Sequence, residues 1–190
     1  VTGKVVIFAA PSGAGKSTIS RHVLSEIPSL AFSVSATTRP PRNYETDGEH
    51  YHFLDVPTFK RKIDAGEFVE WQEVYSGHFY GTLHAEVEKI WNNQQHVVFD
   101  VDVKGAVNLK HIYKEQALAI FVMPPSIAVL DKRLRSRGTD SEDAIRMRLE
   151  KAFYELSYFA EFDSLILNDS LEKACFQTTE TVKKFLKSNI

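Results

Sequence analysis

The chain has 190 residues, 43% of them hydrophobic and 25% charged, with a formal net charge of −2. That balance gives a globular domain ample core and supplies no overall basic field for nucleic acid or an anionic membrane surface. No apolar run nears the ~20 residues of a membrane span, the N-terminus lacks a secretion signal's charged and apolar regions, and the single cysteine, Cys175, cannot close an internal disulfide, so a cytoplasmic protein with Cys175 as a small core hydrophobe is expected.

The first element is the apolar run Val5-Val6-Ile7-Phe8-Ala9, a buried strand by its β-branched content. It runs into Ala10-Pro11-Ser12-Gly13-Ala14-Gly15-Lys16-Ser17-Thr18, and a helix follows with Ile19, Val23, Leu24 and Ile27 at helical spacing before Pro28. Strand, turn of small residues and Gly-Lys-Ser opening a helix form the pattern of a phosphate-binding P-loop. Its glycines let backbone N–H groups curl round an anion at a helix N-terminus. Lys16 then reaches the β- and γ-phosphates and Ser17 sits on Mg²⁺. Ala10 stands where the first glycine is usual, a change of one methyl.

Residues 31–35 read as a strand, stopped by Arg39-Pro40-Pro41-Arg42. Asp47-Gly48 signals a turn, 51–53 a short strand, and Pro57 opens a helix to about Ala65 with Gly66 as cap. A strand over 68–75, a turn at Ser76-Gly77 and a return strand from His78 make a hairpin, followed by a helix from about Leu83 to Asn92. Core-type alternation then resumes: a strand over 96–102, a helix to Ile112, a strand over 118–122, and a helix bearing Ile127, Leu130 and Leu134 that breaks at Gly138-Thr139. A longer helix from Glu142 turns Ile145, Leu149, Ala152, Leu156 and Phe159 inward. The last strand spans 164–168 and the last helix 170–188. Strand–helix alternation at both ends implies an α/β fold with a parallel sheet between helical layers. Residues 33–82 interrupt it as an inserted lobe with mixed or antiparallel strands, between core segments 1–32 and 83–190.

Asp100 ends an apolar strand, where a Walker B carboxylate would face the P-loop and hold Mg²⁺ directly or through water. The competing role is an N-cap for the next helix, which Asp102 could equally supply. Arg39, Arg42, Tyr51 and Tyr80 can surround a phosphate, or can be solvated arginines and ordinary sheet tyrosines. Glu70 lies between Val69 and Trp71, where a carboxylate is costly without a partner. Guanine offers adjacent N–H donors at N1 and N2, with Ser35 able to reach its O6 and Asp102 its amino group. Seven basic residues lie between Lys132 and Lys151 around a polar break, the shape of a lid carrying arginines over phosphates. Acids are mixed in and aromatic interleaving is lacking, which argues against nucleic acid.

These segments together resemble guanylate kinases almost end to end. The matching motifs are Pro-Ser-Gly-Ala-Gly-Lys-Ser-Thr (11–18), Ser-Ala-Thr-Thr-Arg-Pro-Pro-Arg (35–42), Phe-Val-Glu-Trp (68–71), Tyr-Gly-Thr (80–82), Asp-Val-Asp (100–102) and Arg-Gly-Thr (137–139). The resemblance implies a P-loop three-layer sandwich, a GMP-binding lobe and a small helical lid at about 137–147. It implies transfer of phosphate from ATP to GMP, and to dGMP, in purine nucleotide metabolism, with Mg²⁺ as cofactor. By it, Ser12, Gly13, Ala14, Gly15, Lys16, Ser17, Thr18, Arg133 and Asn168 bind ATP. Ser35, Arg39, Arg42, Tyr51, Glu70, Tyr80, Thr82 and Asp102 bind GMP, with Thr82 replacing a serine more usual in the family. Lys16, Arg39, Arg137 and Arg148 carry catalysis, and Ser17 and Asp100 the metal. The expected partners are ATP and GMP, not nucleic acid or membrane, for a monomer or homodimer. The alternative is a catalytically inactive guanylate-kinase-like module that binds phosphopeptides.

Overall fold

The computed structural model describes residues 3–75, 77–136 and 141–188. Its core strands are β1 (Val5–Ala9), β2 (Leu30–Phe32), β7 (His96–Asp100), β8 (Ala117–Met123) and β9 (Ser164–Leu167). They form one parallel sheet in the order β2-β7-β1-β8-β9. All five residues of β1 are buried, as expected of the central strand of a sheet covered on both faces.

Side-chain alternation along β1 divides the core into two layers. Val6 and Phe8 pack with Ile19 and Val23 of α1 (Lys16–Glu26) and with Ala174, Cys175 and Val182 of α7 (Leu171–Lys187). Val5 and Ile7 pack on the other face with Val87 and Ile90 of α3 (His84–Asn92) and with Val103, Ala106 and Leu109 of α4 (Val103–Tyr113). Helix, sheet, helix is the resulting section, and Cys175 is a core hydrophobe whose thiol burial pushes its pKa up.

Between β2 and β7 the chain builds a second sheet from β3 (Ala36–Thr37), β4 (His52–Phe53), β5 (Phe68–Tyr75) and β6 (His78–Leu83), in the order β4-β3-β6-β5. Only the β3–β4 pair is parallel. This sheet has its own small core, in which Phe59 of α2 (Val56–Asp64) stacks on Phe68 at 4.4 Å and meets Ala36, Leu54 and Phe79. Asp55 caps α2 by accepting the Thr58 N–H at 2.7 Å, and Gly66 ends it with φ +66°.

The structure revises three sequence expectations. Of the strand foreseen at 31–35 only Ala31 and Phe32 are strand, in β2; residues 33–35 belong to neither sheet and lead across to β3. Ser33 N–H still donates to the core at Val98 O (3.0 Å), whereas Ser35 O already accepts from His52 N in the second sheet. The strand at 96–102 stops at Asp100, because Asp102 turns its side chain to cap α4. Phe159 does not continue the inward face of α6 (Glu142–Leu156): it lies in a separate 3₁₀ turn and is 48% exposed. The buried contact of α6 is instead Ile145 and Ala152 against Leu130 and Leu134 of α5 (Ile127–Ser136). The foreseen break at Gly138-Thr139 lies outside the described residues.

Candidate active site

The P-loop leaves β1 at the carboxyl end of the sheet, beside the end of β7, with Phe8 and Asp100 in register. Gly13 and Gly15 adopt φ of +91° and +97°, values that side chains other than hydrogen rarely tolerate. Space also selects these glycines. A Cβ on Gly13 would stand 3.1 Å from Leu130 and Leu134, and one on Gly15 would collide with Asn168 Nδ2.

Lys16, the first residue of α1, forms an ion pair with Asp100 and donates to Val101 O at 2.8 Å. Ser17 Oγ donates to the other oxygen of Asp100 at 3.4 Å. Asp102 caps α4 through Gly105 N–H at 2.8 Å, so of the two roles open at Asp100 the cap falls to Asp102. The Ser17–Asp100 pair is a set of hard oxygens, and among the described residues no group of three or more His, Cys, Asp or Glu is set to enclose a metal. Such a pair suits Mg²⁺, which keeps much of its shell for water and phosphate oxygens.

A cleft of about 420 Å³ opens over this loop, between the two sheets. Residues 10–13 and 15–18 form one wall. Ser35, Tyr51, Glu70, Gln72 and Tyr80 line it from the inserted segment, Asp102 from the core at the start of α4, and Arg148, Lys151 and Glu155 of α6 border it. The cleft therefore joins a basic end, at Lys16, to an acidic end at Glu70 and Asp102.

Glu70 is 9% exposed and accepts from Thr82 Oγ1 at 3.0 Å across the β5–β6 pair. Burial, with a smaller contribution from Asp102, pushes its carboxyl up to about 7, against the pull of the Thr82 hydrogen bond. Tyr51 and Tyr80 meet edge-on at 6.2 Å, and burial raises the Tyr51 phenol. Arg39 is gripped by Glu45 through two bonds of 2.8 and 2.9 Å and lies 5.4 Å from the Tyr51 ring. Glu45 above all raises the guanidinium further, while Arg39 lowers Glu45. Arg42 donates to Tyr44 OH at 3.0 Å, its backbone N–H binding the same Glu45.

The other foreseen ligand residues are distributed unevenly. Arg148 lines the cleft and donates to Ser12 Oγ at 3.3 Å. Arg39, Arg42 and Thr82 do not line the cleft, and Arg137 lies outside the described residues. Asn168 is buried beneath the P-loop: its Nδ2 donates to Ala14 O at 2.7 Å, and its backbone carbonyl accepts from Arg133 at 2.9 Å. Arg135 of the basic segment is occupied by Asp131 and Glu142, linking α5 to α6.

Sequence reasoning passed over Glu45, Gln72 and Glu155. Gln72 was within reach, since residues two apart on a strand share a face with Glu70. Glu155 had a signal too, following Arg148 and Lys151 at i+7 and i+4 on one helix face.

A family model described as guanylate kinase matches residues 2–188. The guanylate kinase of Bacteroides thetaiotaomicron is 50% identical over 186 residues, covering 98% of this chain and 91% of that protein. That of Porphyromonas gingivalis is 46% identical over 184 residues, covering 96% and 98%. The crystal structure of guanylate kinase from Anaplasma phagocytophilum superimposes with a TM-score of 0.80 at 27% identity, over 99% of this chain and 88% of that one.

Proposed function

This chain belongs to the guanylate kinase family, and from that membership we propose how its cleft carries a phosphoryl group from ATP to GMP. The enzyme is an ATP:GMP phosphotransferase. The observation that carries the assignment of its parts is the joining, in one cleft, of a P-loop lysine paired with Asp100 to a buried Glu70–Thr82 pair beside Asp102.

In this reading the backbone N–H groups of the P-loop and Lys16 hold the triphosphate, with Ser12 and Arg148 at its entrance. Arg133 lies toward the adenine. Ser17 and Asp100 hold Mg²⁺, which supplies charge neutralisation to the bound phosphates. Ionised Glu70 accepts the N1 and N2 hydrogens of guanine, Asp102 takes a further amino hydrogen, and Ser35 and Thr82 complete the polar edge. Adenine lacks both donors and would leave these buried groups unpaired, which is a strong basis for rejection. Arg39, Arg42, Tyr51 and Tyr80 hold the GMP phosphate, Arg39 exchanging its bidentate hold on Glu45 for phosphate oxygens.

A GMP phosphate oxygen attacks the γ-phosphorus in line; a new O–P bond forms as the bond to the β-phosphate oxygen breaks, and ADP leaves. No general base is needed, because the attacking oxygen is already anionic. Catalysis is positioning plus stabilisation of spreading charge by Lys16, Arg39, Arg137 and Arg148. Closure of the lobe at 33–82 and of the lid excludes water from the γ-phosphate. We place the reaction in cytoplasmic purine nucleotide metabolism.

The test is ADP release from ATP with each nucleoside monophosphate in turn. GMP is the expected acceptor and dGMP a weaker one, with AMP, CMP and UMP near background. A folded sample that releases no ADP with GMP would overturn the assignment.

A further inference from the structure

Gln72 sits on β5 two residues after Glu70, so the two side chains leave the same face of the strand and both reach the cleft. Its carboxamide Nε2 donates across the gap between the sheets to Asp102 Oδ1. That oxygen also accepts the Gly105 N–H at 2.8 Å. Both donors therefore fall on one oxygen of the carboxylate, one from the second sheet and one from the first turn of α4.

Gly105 makes room for this meeting. Its φ is not in the left-handed region, so conformation does not demand glycine there. Space does. A Cβ would stand 3.1 Å from Gln72 Nε2, 3.2 Å from Asp102 Oδ1 and 3.3 Å from Glu70 Oε2. Three polar side-chain tips from β5 and from the entrance to α4 converge over one bare Cα.

The terminal torsion of an aspartate is broad and roughly two-fold, and a single helix cap leaves it freedom to swing. A second donor on the same oxygen fixes which oxygen faces the ligand. We propose that Gln72 is a positioning residue for guanine recognition: it holds Asp102 by Oδ1 so that Oδ2 meets the exocyclic 2-amino group of the acceptor base. Gln72 thereby sets the discrimination between guanine and hypoxanthine, which shares the 6-oxo and N1–H edge but lacks the amino group. The proposal rests on GMP being the acceptor and adds to it a residue that acts through Asp102.

The test compares GMP with inosine monophosphate in the wild-type enzyme and in Gln72→Met, which keeps the length and loses the donor. The expected result is a rise of about tenfold in KM for GMP, the scale of one hydrogen bond to a charged group. KM for inosine monophosphate and for ATP, and kcat at saturating GMP, stay within about twofold, so the selectivity ratio falls by about tenfold. Gly105→Ala leaves Gln72 in place but wedges a methyl among the three tips; it is expected to lower the same ratio, and it keeps the question answerable if Gln72→Met does not fold. A ratio unchanged in both variants, or KM values for the two acceptors rising equally, would reduce Gln72 to a strut between β5 and α4 and overturn the proposal. A wild-type enzyme inactive with GMP would instead overturn the function beneath it.

Discussion

Glu70 was legible from sequence because a carboxylate between Val69 and Trp71 in an apolar strand demands a partner. Its environment was not legible, since Thr82 and Asp102 come from other elements. With burial holding its carboxyl up at about 7, the folded protein keeps a proton that the unfolded chain releases near the ordinary glutamate value of about 4.3. Folded-state proton uptake exceeds unfolded-state uptake between those values, so this group makes the free protein less stable as pH rises through the window, with no further loss above it. Glu70→Gln should remove that slope, read as the difference between melting temperatures at about pH 5 and about pH 8 in wild type and variant. On the proposed assignment guanine requires the ionised form, so wild-type affinity for GMP should weaken on acidification below about 7 more steeply than that of Glu70→Gln. Parallel pH curves for both proteins would refute this. Lys16 tests the other end of the cleft. Lys16→Ala should lower kcat by at least about a hundredfold, the usual scale for removing one charge-stabilising group. Calorimetry should find GMP binding largely intact, because the residues assigned to guanine lie at the opposite end.

At the scale of elements, the pattern Val5–Ala9 followed by a Gly-rich turn announced β1 and α1 plainly, since every feature of it is local. The break at 33–35 could not be read that way: Phe32 and Val34 favour extended chain, and only pairing partners far along the sequence end β2 at Phe32 and start β3 at Ala36. The same holds for the brace beneath the P-loop. Asn168 follows β9 and is expected from the resemblance to bind ATP; its side chain donates to the Ala14 carbonyl and its backbone carbonyl accepts from Arg133. It thus ties the loop at 10–18 to α5. Asn168→Ala should cost about 1–3 kcal/mol, the penalty for leaving a buried carbonyl unpaired, which for a chain of this size lowers the melting temperature by about 2–4 °C per kcal/mol. KM for ATP should rise while KM for GMP stays within about twofold. Equal rises in both would mean that the substitution loosens the whole molecule rather than the P-loop.

Over the whole molecule, strand–helix alternation at both ends was enough to foresee a parallel sheet between helical layers. It did not dictate the order β2-β7-β1-β8-β9, in which the chain returns from its second sheet to place β7 beside β1 and so brings Asp100 to Lys16. Nor did it show that the second sheet would have a separate core around Phe59 and Phe68. Separate cores give the two sheets separate local stabilities, and ligands held by different sheets should therefore protect different amides. GMP alone is expected to slow hydrogen exchange in β3, β5 and β6 and in the loop that carries Arg39 and Arg42. A non-hydrolysable ATP analogue alone is expected to slow it in residues 10–18 and the start of α1. Each ligand at a hundred times its Kd adds about 2.7 kcal/mol to the stability of the state that binds it, enough to change local opening rates about a hundredfold. The contact of Gln72 with Asp102 joins the second sheet to α4, so α4 is an element where protection by either ligand should overlap. If each ligand alone protected both sets of amides alike, the two sheets would be opening as one unit, and the division of donor and acceptor between them would have to be abandoned.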